Sequence, residues 1–422
     1  MAVSNELPEP LARAVADPRS YAQWDTLHEH LKIVRRDFPF ARAQIDGYNP
    51  FWVASKFDDI RAVALNNDVF KSGMGGILTN EEVAFERRAG IRGLFRSVVA
   101  MNEPDHRKYR MLTQAWFQPK NLQRVEERVR ALARRYVDRL EATGGECDFV
   151  GEVAVHFPLM VIMSILGVPE EDEPMMLRLT QEYFGSKDAD LNRDRVALSA
   201  DEHFQGVRRV IEDATAYFGE ISASRRRNPT DDLASVIANA VIDGKPINDV
   251  DAMGYYITVA FAGHDTTSSS LAGAVWALCE NPEQLELLRA KPALTANLAE
   301  EAVRWTTPIH QFTRIVARDI EFNGRQVKKG EWIVLSFPSG NRDEAVFDEP
   351  FRFRVDRDKN THVGFGYGAH MCLGMHLARM ELRAFFDEML PRVRSLELNG
   401  TPTRTVTNFV GGPKSVPIRV RM

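Results

Sequence analysis

The stretch from Asp249 to Glu280 constrains this chain more than any other. From Met253 to Leu278 it is apolar on nearly every side, and a helix of that composition must be buried. Asp265, Thr266, Thr267 and the serines behind them fall in its centre. Polar groups there cost stability unless they are hydrogen-bonded, and Gly263 weakens the same turn. The pattern predicts a local opening of the helix, with the Thr266 hydroxyl on the Ala262 carbonyl four residues back and room beside it for a small ligand or water. His264 reads as a structural histidine with its hydrogen bonds satisfied.

Helical periodicity extends well beyond this segment. After Pro119, the residues Leu122, Val125, Val129, Leu132, Tyr136 and Leu140 recur at three- and four-residue steps until Gly144 and Gly145 stop them. Similar patterns predict helices near Trp24 to Arg36, Asp58 to Asn66, Pro174 to Phe184, His203 to Arg225, Pro282 to Ala290 and Leu294 to Trp305. Strands are fewer: Phe40 to Ile45 and Phe51 to Ala54 form a hairpin around Asp46 to Pro50, and Glu331 to Phe337 is a buried strand. The tail from Val406 to Val420 reads as extended chain turning at Gly411, Gly412 and Pro413. A mainly α body with a minor β part is expected.

Near the C-terminus, residues 365–374 set Cys372 among glycines at the mouth of a further helical stretch. A thiolate there meets the positive end of the helix dipole and backbone N–H groups that lack intrahelical partners, which stabilises its charged form. Gly366 and Gly368 admit backbone angles and close approach that a β-carbon obstructs, and Gly374 lets the helix lie flat against a large planar ligand. Cys372 is thereby a candidate axial ligand of haem iron. A thiolate in that role favours O–O cleavage, so the residue type points to oxygen activation.

The same ten residues match Phe-x-x-Gly-x-(Arg or His)-x-Cys-x-Gly at every fixed position, and the chain resembles the cytochrome P-450 superfamily of haem-thiolate monooxygenases. The resemblance implies the cytochrome P-450 fold as one large domain over residues 1–422, closed around a buried haem b (iron protoporphyrin IX), with O2 as co-substrate. It also implies that Cys372 binds the iron, that His370 hydrogen-bonds a haem propionate and that Phe365 packs near the sulfur. Asp265 and Thr266 match the family's acid-alcohol pair, which delivers protons for O–O cleavage through water. Glu301 and Arg304, three apart on one helix face, match a buried structural pair. Its third member is Arg357, with Arg354 as the alternative. Propionates need charge-assisted partners. His106 and Arg110, one helical turn apart, and Arg314 resemble the family's donors for them.

For the substrate pocket, the resemblance points to Phe95 and Val98, to Phe184, to the Val259 and Ala262 face, and to Ile309 and Phe409. All are apolar, which implies a small hydrophobic substrate. Residues 145–149, 167–170 and 407–414 look like those of bacterial α-terpineol monooxygenase, which narrows the expectation to a monoterpene or an alkylaromatic. The chain carries no flavin or nicotinamide fingerprint, so an iron–sulfur ferredoxin with its reductase is the expected electron donor. Arg107, Lys108, Arg110, Arg354, Arg357, Lys359, Arg379 and Arg383 lie in segments flanking the cysteine side; some of them supply a basic face for it, and others serve propionates or structure.

Composition excludes other classes. A net charge of −5 over 422 residues gives no case for nucleic acid. Three scattered cysteines suit neither a disulfide framework nor a CxxC metal site, and they fit a reducing, cytoplasmic setting. No apolar run approaches the roughly 20 residues of a membrane helix, and Met1 to Pro10 lacks an apolar signal region, so no membrane anchor is expected. Two competitors remain: a peroxide-driven peroxygenase, against which the acid-alcohol pair counts, and a haem carrier or sensor without turnover.

Overall fold

The computed structural model describes residues 6–72, 78, 94, 96–198 and 200–422. Ten principal helices are α1 (Trp24–Asp37), α2 (Phe57–Leu65), α3 (Asp105–Gln114), α4 (Pro119–Ala142), α5 (Phe157–Leu166), α6 (Glu173–Phe184), α7 (Ala200–Arg227), α8 (Asp249–Glu280), α9 (Thr295–Thr306) and α10 (Met375–Met389). The long apolar segment is α8, and the other helices are built around it. It packs against α5, α7, α9 and α10, and most of its side chains from Ala252 to Leu278 are buried. Asn248 caps its start by accepting the Asp251 N–H at 2.9 Å.

The predicted opening of α8 does not occur: the helix runs unbroken through Gly263 and Thr266. Thr266 Oγ1 donates to the Ala262 carbonyl at 3.0 Å, a back-bond that an intact helix tolerates. Gly263 serves close packing instead, since a Cβ there would meet Ile162 of α5 at 2.8 Å.

The main sheet holds five strands, β1 (Ala41–Ala43), β2 (Phe51–Ala54), β3 (Phe70–Lys71), β4 (Gln311–Val316) and β5 (Trp332–Ser336), in the order β1-β2-β5-β4-β3. The predicted hairpin pairs Ala41 with Val53 and Ala43 with Phe51. β5 runs parallel to β2 and antiparallel to β4. Helix α5 and strand β4 are among the elements that escape the periodicity reading. Helix α5 is apolar all round, Phe-Pro-Leu-Met-Val-Ile-Met-Ser-Ile-Leu, so it has no polar face to betray a period. Strand β4 carries Gln311, Thr313 and Arg314 among its buried positions, so no apolar alternation marks it.

One apolar core joins α4, α5, α7, α8, α9 and α10, while two smaller clusters cover the faces of the sheet. The loop of residues 363–374 lies between these bodies, which places Cys372 at the junction of helical core and sheet. Among the described residues, no helix is long and apolar enough to cross a membrane.

Candidate active site

The cysteine loop is held by its own backbone. Gly366 N–H donates to the Val363 carbonyl at 2.8 Å, and Cys372 N–H donates to the Phe365 carbonyl at 2.8 Å. Gly366 and Gly368 both have φ of 71°, the region that glycine enters without a Cβ penalty. At Gly368 the approach is also tight, because a Cβ would stand 2.5 Å from the Ala64 carbonyl of α2. A Cβ on Gly374 would meet nothing within 4 Å, and that open space belongs to the cavity beside it.

This cavity encloses about 1570 Å³, part of it open to solvent. Cys372 exposes its surface to the cavity yet sits deep within the protein. Burial raises its thiol pKa, against the Gly374 N–H and the charges of Arg110 and Arg379, which lower it. The expected anion stabilisation at the helix start therefore exists but loses to desolvation, and a bound cation at the sulfur would reverse the balance.

Four basic side chains line one region of the same cavity: His106, Arg110, Arg314 and His370. The His106 and His370 rings stand 4.0 Å apart, and Arg110 donates to the Met371 carbonyl at 2.7 Å. His106 contacts Glu103 at 3.2 Å and His370 contacts the Ser72 hydroxyl at 3.1 Å. Arg314 is 5 % exposed, its Nε finds no partner among the described residues, and burial lowers its pKa to about 10. Burial, then the neighbouring His106, Arg314 and Arg110, holds His370 near 3. Arg314 also donates from its guanidinium to the Thr313 carbonyl at 2.8 Å, but concentrated basic groups and a guanidinium with an unpartnered Nε call for carboxylates. A haem fits: Cys372 would hold its iron, these four residues its propionates, and the open face at Gly374 its ring. Phe365 lines the cavity beside the cysteine, with the Arg379 guanidinium 4.7 Å from its ring centroid.

Helix α8 forms the opposite wall. Val259, Ala262 and Thr266 reach the cavity, as do Val98 and Ile309. Phe184 lines a second, smaller cavity instead, and Phe409 packs its ring against that of Phe312, with centroids 5.6 Å apart. Phe95 lies outside the described residues. Phe312, Phe117, Val99 and Thr258 also line the main cavity and went unnoticed in the sequence. Thr258 offers a polar handle: its hydroxyl donates to the Gly254 carbonyl at 2.6 Å and contacts Ser97 at 2.9 Å.

The acid and the alcohol of α8 face different spaces. Thr266 lines the main cavity, whereas Asp265 opens onto the smaller one with Gln181, Ser268, Ser269, Thr405 and Lys414. Burial lifts the Asp265 pKa to about 7. His264 bonds Thr180 at 2.9 Å and the Val155 carbonyl at 2.7 Å, so both of its nitrogens are satisfied.

Glu301 and Arg304 are fully buried and joined at 2.6 Å. Arg357 Nε reaches Glu301 at 3.2 Å, and Asn360 donates to the same carboxylate at 2.9 Å. Arg354 contributes its backbone N–H to Glu301, while its guanidinium turns outward to Asp348, Glu349 and Asp356. The expected basic face is also smaller than its sequence suggests. Lys108 pairs with Asp243, Arg379 with Glu300, and Arg357 is buried, which leaves Arg107, Lys359 and Arg383 exposed.

The family model described as Cytochrome P450 matches residues 20–416. The chain belongs to the cytochrome P450 family. It is 44% identical to Cytochrome P450-terp of a Pseudomonas species over 98% of each chain. The crystal structure of CYP108D1 from Novosphingobium aromaticivorans superposes with a TM-score of 0.90 at 42% identity, covering 99% of this chain and all of that one. A Mycobacterium marinum P450, CYP268A2 in complex with pseudoionone, is 29% identical with a TM-score of 0.86, covering 99% of this chain and 98% of that one. This P450 is a haem-thiolate monooxygenase with the mainly helical fold of its relatives.

Proposed function

We propose that this P450 hydroxylates a monoterpene or small alkylaromatic, with haem b at Cys372 and electrons from an iron–sulfur ferredoxin. The observation that carries the reading is the cavity wall: Val98, Val259, Ala262, Ile309 and Phe312 surround the space beside Thr266, with Thr258 as a nearby hydroxyl. Such a lining favours a small hydrocarbon skeleton bearing at most one or two polar groups. Likeness to Cytochrome P450-terp across nearly the whole chain supports the terpene class. A cytoplasmic location suits its three unpaired cysteines.

Bound haem supplies reductive activation of O2 for insertion of one oxygen atom into a C–H bond. The chain's residues do the rest. His106, Arg110, Arg314 and His370 orient the group by its carboxylates, the apolar wall excludes water and positions the substrate, and Asp265 and Thr266 manage the proton. Exposed Arg107, Lys359 and Arg383 support docking of an acidic ferredoxin. Titration with α-terpineol, related monoterpenes and alkylbenzenes should convert the haem from low to high spin, and turnover with a ferredoxin should fall as ionic strength rises. Absence of a spin shift with every candidate would end the substrate assignment, and salt-independent turnover would end electrostatic docking.

Asp265 makes turnover pH-dependent. With its pKa near 7, the carboxyl is protonated and able to donate below that value and loses its proton above it. Proton-limited turnover should therefore decline as pH rises through about 7, and Asp265→Asn should be slower and lose this inflection. An unchanged pH profile in the variant would remove Asp265 from proton delivery.

A further inference from the structure

The Thr258 hydroxyl on α8 lines the main cavity with its one proton already engaged. A carbonyl oxygen only accepts, so Thr258 is the donor in its 2.6 Å contact with the Gly254 carbonyl. Ser97 Oγ stands 2.9 Å from Thr258 Oγ1, and with that proton engaged Ser97 must be the donor of this second bond. Ser97 in turn accepts the Val99 N–H at 3.2 Å. The Thr258 oxygen therefore donates once, accepts once and keeps a second lone pair, and neither hydroxyl has a proton left for a ligand. The pair is also held still. Arg96 N–H donates to the Val250 carbonyl at 3.2 Å, and Gly254 packs so closely on the Arg96 backbone that a Cβ there would overlap it. Residues 96–99, which bring Val98 and Val99 to the cavity, are thus fixed against the turn of α8 that carries Thr258.

We propose that Thr258 is a specificity residue that accepts the hydrogen of a substrate hydroxyl, so that this P450 prefers alcohols of the terpene and alkylaromatic skeletons over the matching ketones and ethers. The inference rests on the substrate reading of the main cavity and narrows it. A ketone or ether oxygen at this point sets lone pair against lone pair, and it loses the water that had donated to it. Turning the Thr258 proton towards such a ligand gives up the short bond to Gly254 in exchange. A pure hydrocarbon leaves one lone pair unfilled at little cost, since the oxygen already makes two bonds. Thr258 precedes Thr266 by eight residues, about 12 Å of helix, so a hydroxyl held there leaves the space beside Thr266 to the hydrocarbon skeleton.

The test measures binding to the intact haem protein of two matched pairs, carveol with carvone and α-terpineol with its methyl ether, by equilibrium dialysis and by the spin-state change. In the wild type each alcohol should bind more tightly than its partner. Thr258→Val keeps the shape of the side chain and removes the acceptor, so each alcohol-to-partner affinity ratio should be about tenfold smaller in that variant. Comparing the two proteins cancels the differing hydration of the ligands. Thr258→Ser, which restores a hydroxyl, should keep the wild-type ratios. Carvone or the ether binding to the wild type as tightly as its alcohol overturns the inference, and this measurement needs no variant to fold. Equal ratios in the wild type and Thr258→Val overturn it as well, and in both cases the terpene reading stands. Binding of neither pair overturns that reading, and the inference falls with it.

Discussion

Cys372→Ser should leave a folded protein that has lost its monooxygenase activity by at least about a hundredfold and no longer shows the strongly red-shifted band of the reduced, carbon monoxide-bound form. The fold should survive because the loop is fixed by backbone groups: the position 372 N–H on the Phe365 carbonyl and the Gly366 N–H on Val363 are both independent of the side chain. The side chain itself faces the cavity and takes little part in the packing of either core. Its contribution is electronic. Sulfur is a soft, strongly donating ligand once deprotonated, and burial has already lowered the hydration that would otherwise stabilise the anion. A serine hydroxyl keeps its proton at neutral pH and donates weakly, so the haem would remain, held at its carboxylates, with a different axial bond. An unaltered band, or turnover at the wild-type rate, would show that sulfur at position 372 is not the ligand.

That position was legible because its chemistry is local. The glycines, the histidine and the cysteine lie within ten residues, and each has a conformational or electronic reason to be there. Helix α8 was legible for a different reason: an apolar surface on every side has few solutions, and its bounds at Asp249 and Glu280 follow from the composition alone. What stayed hidden depends on distant parts of the chain. Nothing in the order Asp265, Thr266 reveals that a rotation of about 100° per residue carries the carboxyl into a different cavity from the hydroxyl. Phe184 and Phe409 have the composition of pocket residues, yet Phe184 lines the smaller cavity and Phe312, not its ring neighbour Phe409, lines the main one. The unmarked strand β4 supplies both Phe312 and Arg314, whose Nε has no partner among the described residues. The choice between Arg354 and Arg357 turned on three residues of register in an irregular segment, where no period exists to be read.

The register matters because Glu301 organises everything around it, and Glu301→Ala should destabilise this P450 by about 3–5 kcal/mol. In the native protein its carboxylate accepts from Arg304 at 2.6 and 2.7 Å, from Arg357 at 3.2 Å, from Asn360 at 2.9 Å and from the Arg354 backbone at 2.8 Å. Glu301 and Arg304 have no solvent exposure and Arg357 is 7 % exposed, so water cannot replace what the substitution removes. Two guanidinium groups would be left buried on carbonyl oxygens alone, beside Arg342, which is 1 % exposed and likewise bonded only to carbonyls. Burial by itself would raise the Glu301 pKa, but Arg304 and Arg357 outweigh it and hold the carboxyl below its ordinary value. The stabilisation is therefore present above the ordinary glutamate range and is lost as pH falls through the depressed folded value. Chemical denaturation of the two proteins at neutral pH should show the full difference, and the gap should narrow in acid as the wild type loses the charge. Glu301→Gln, which keeps shape and two hydrogen-bonding atoms but no charge, should fall between them. If Glu301→Ala unfolds within about 1 kcal/mol of the wild type, the arginines have found other partners and the carboxylate is not what holds residues 348–360 against α9.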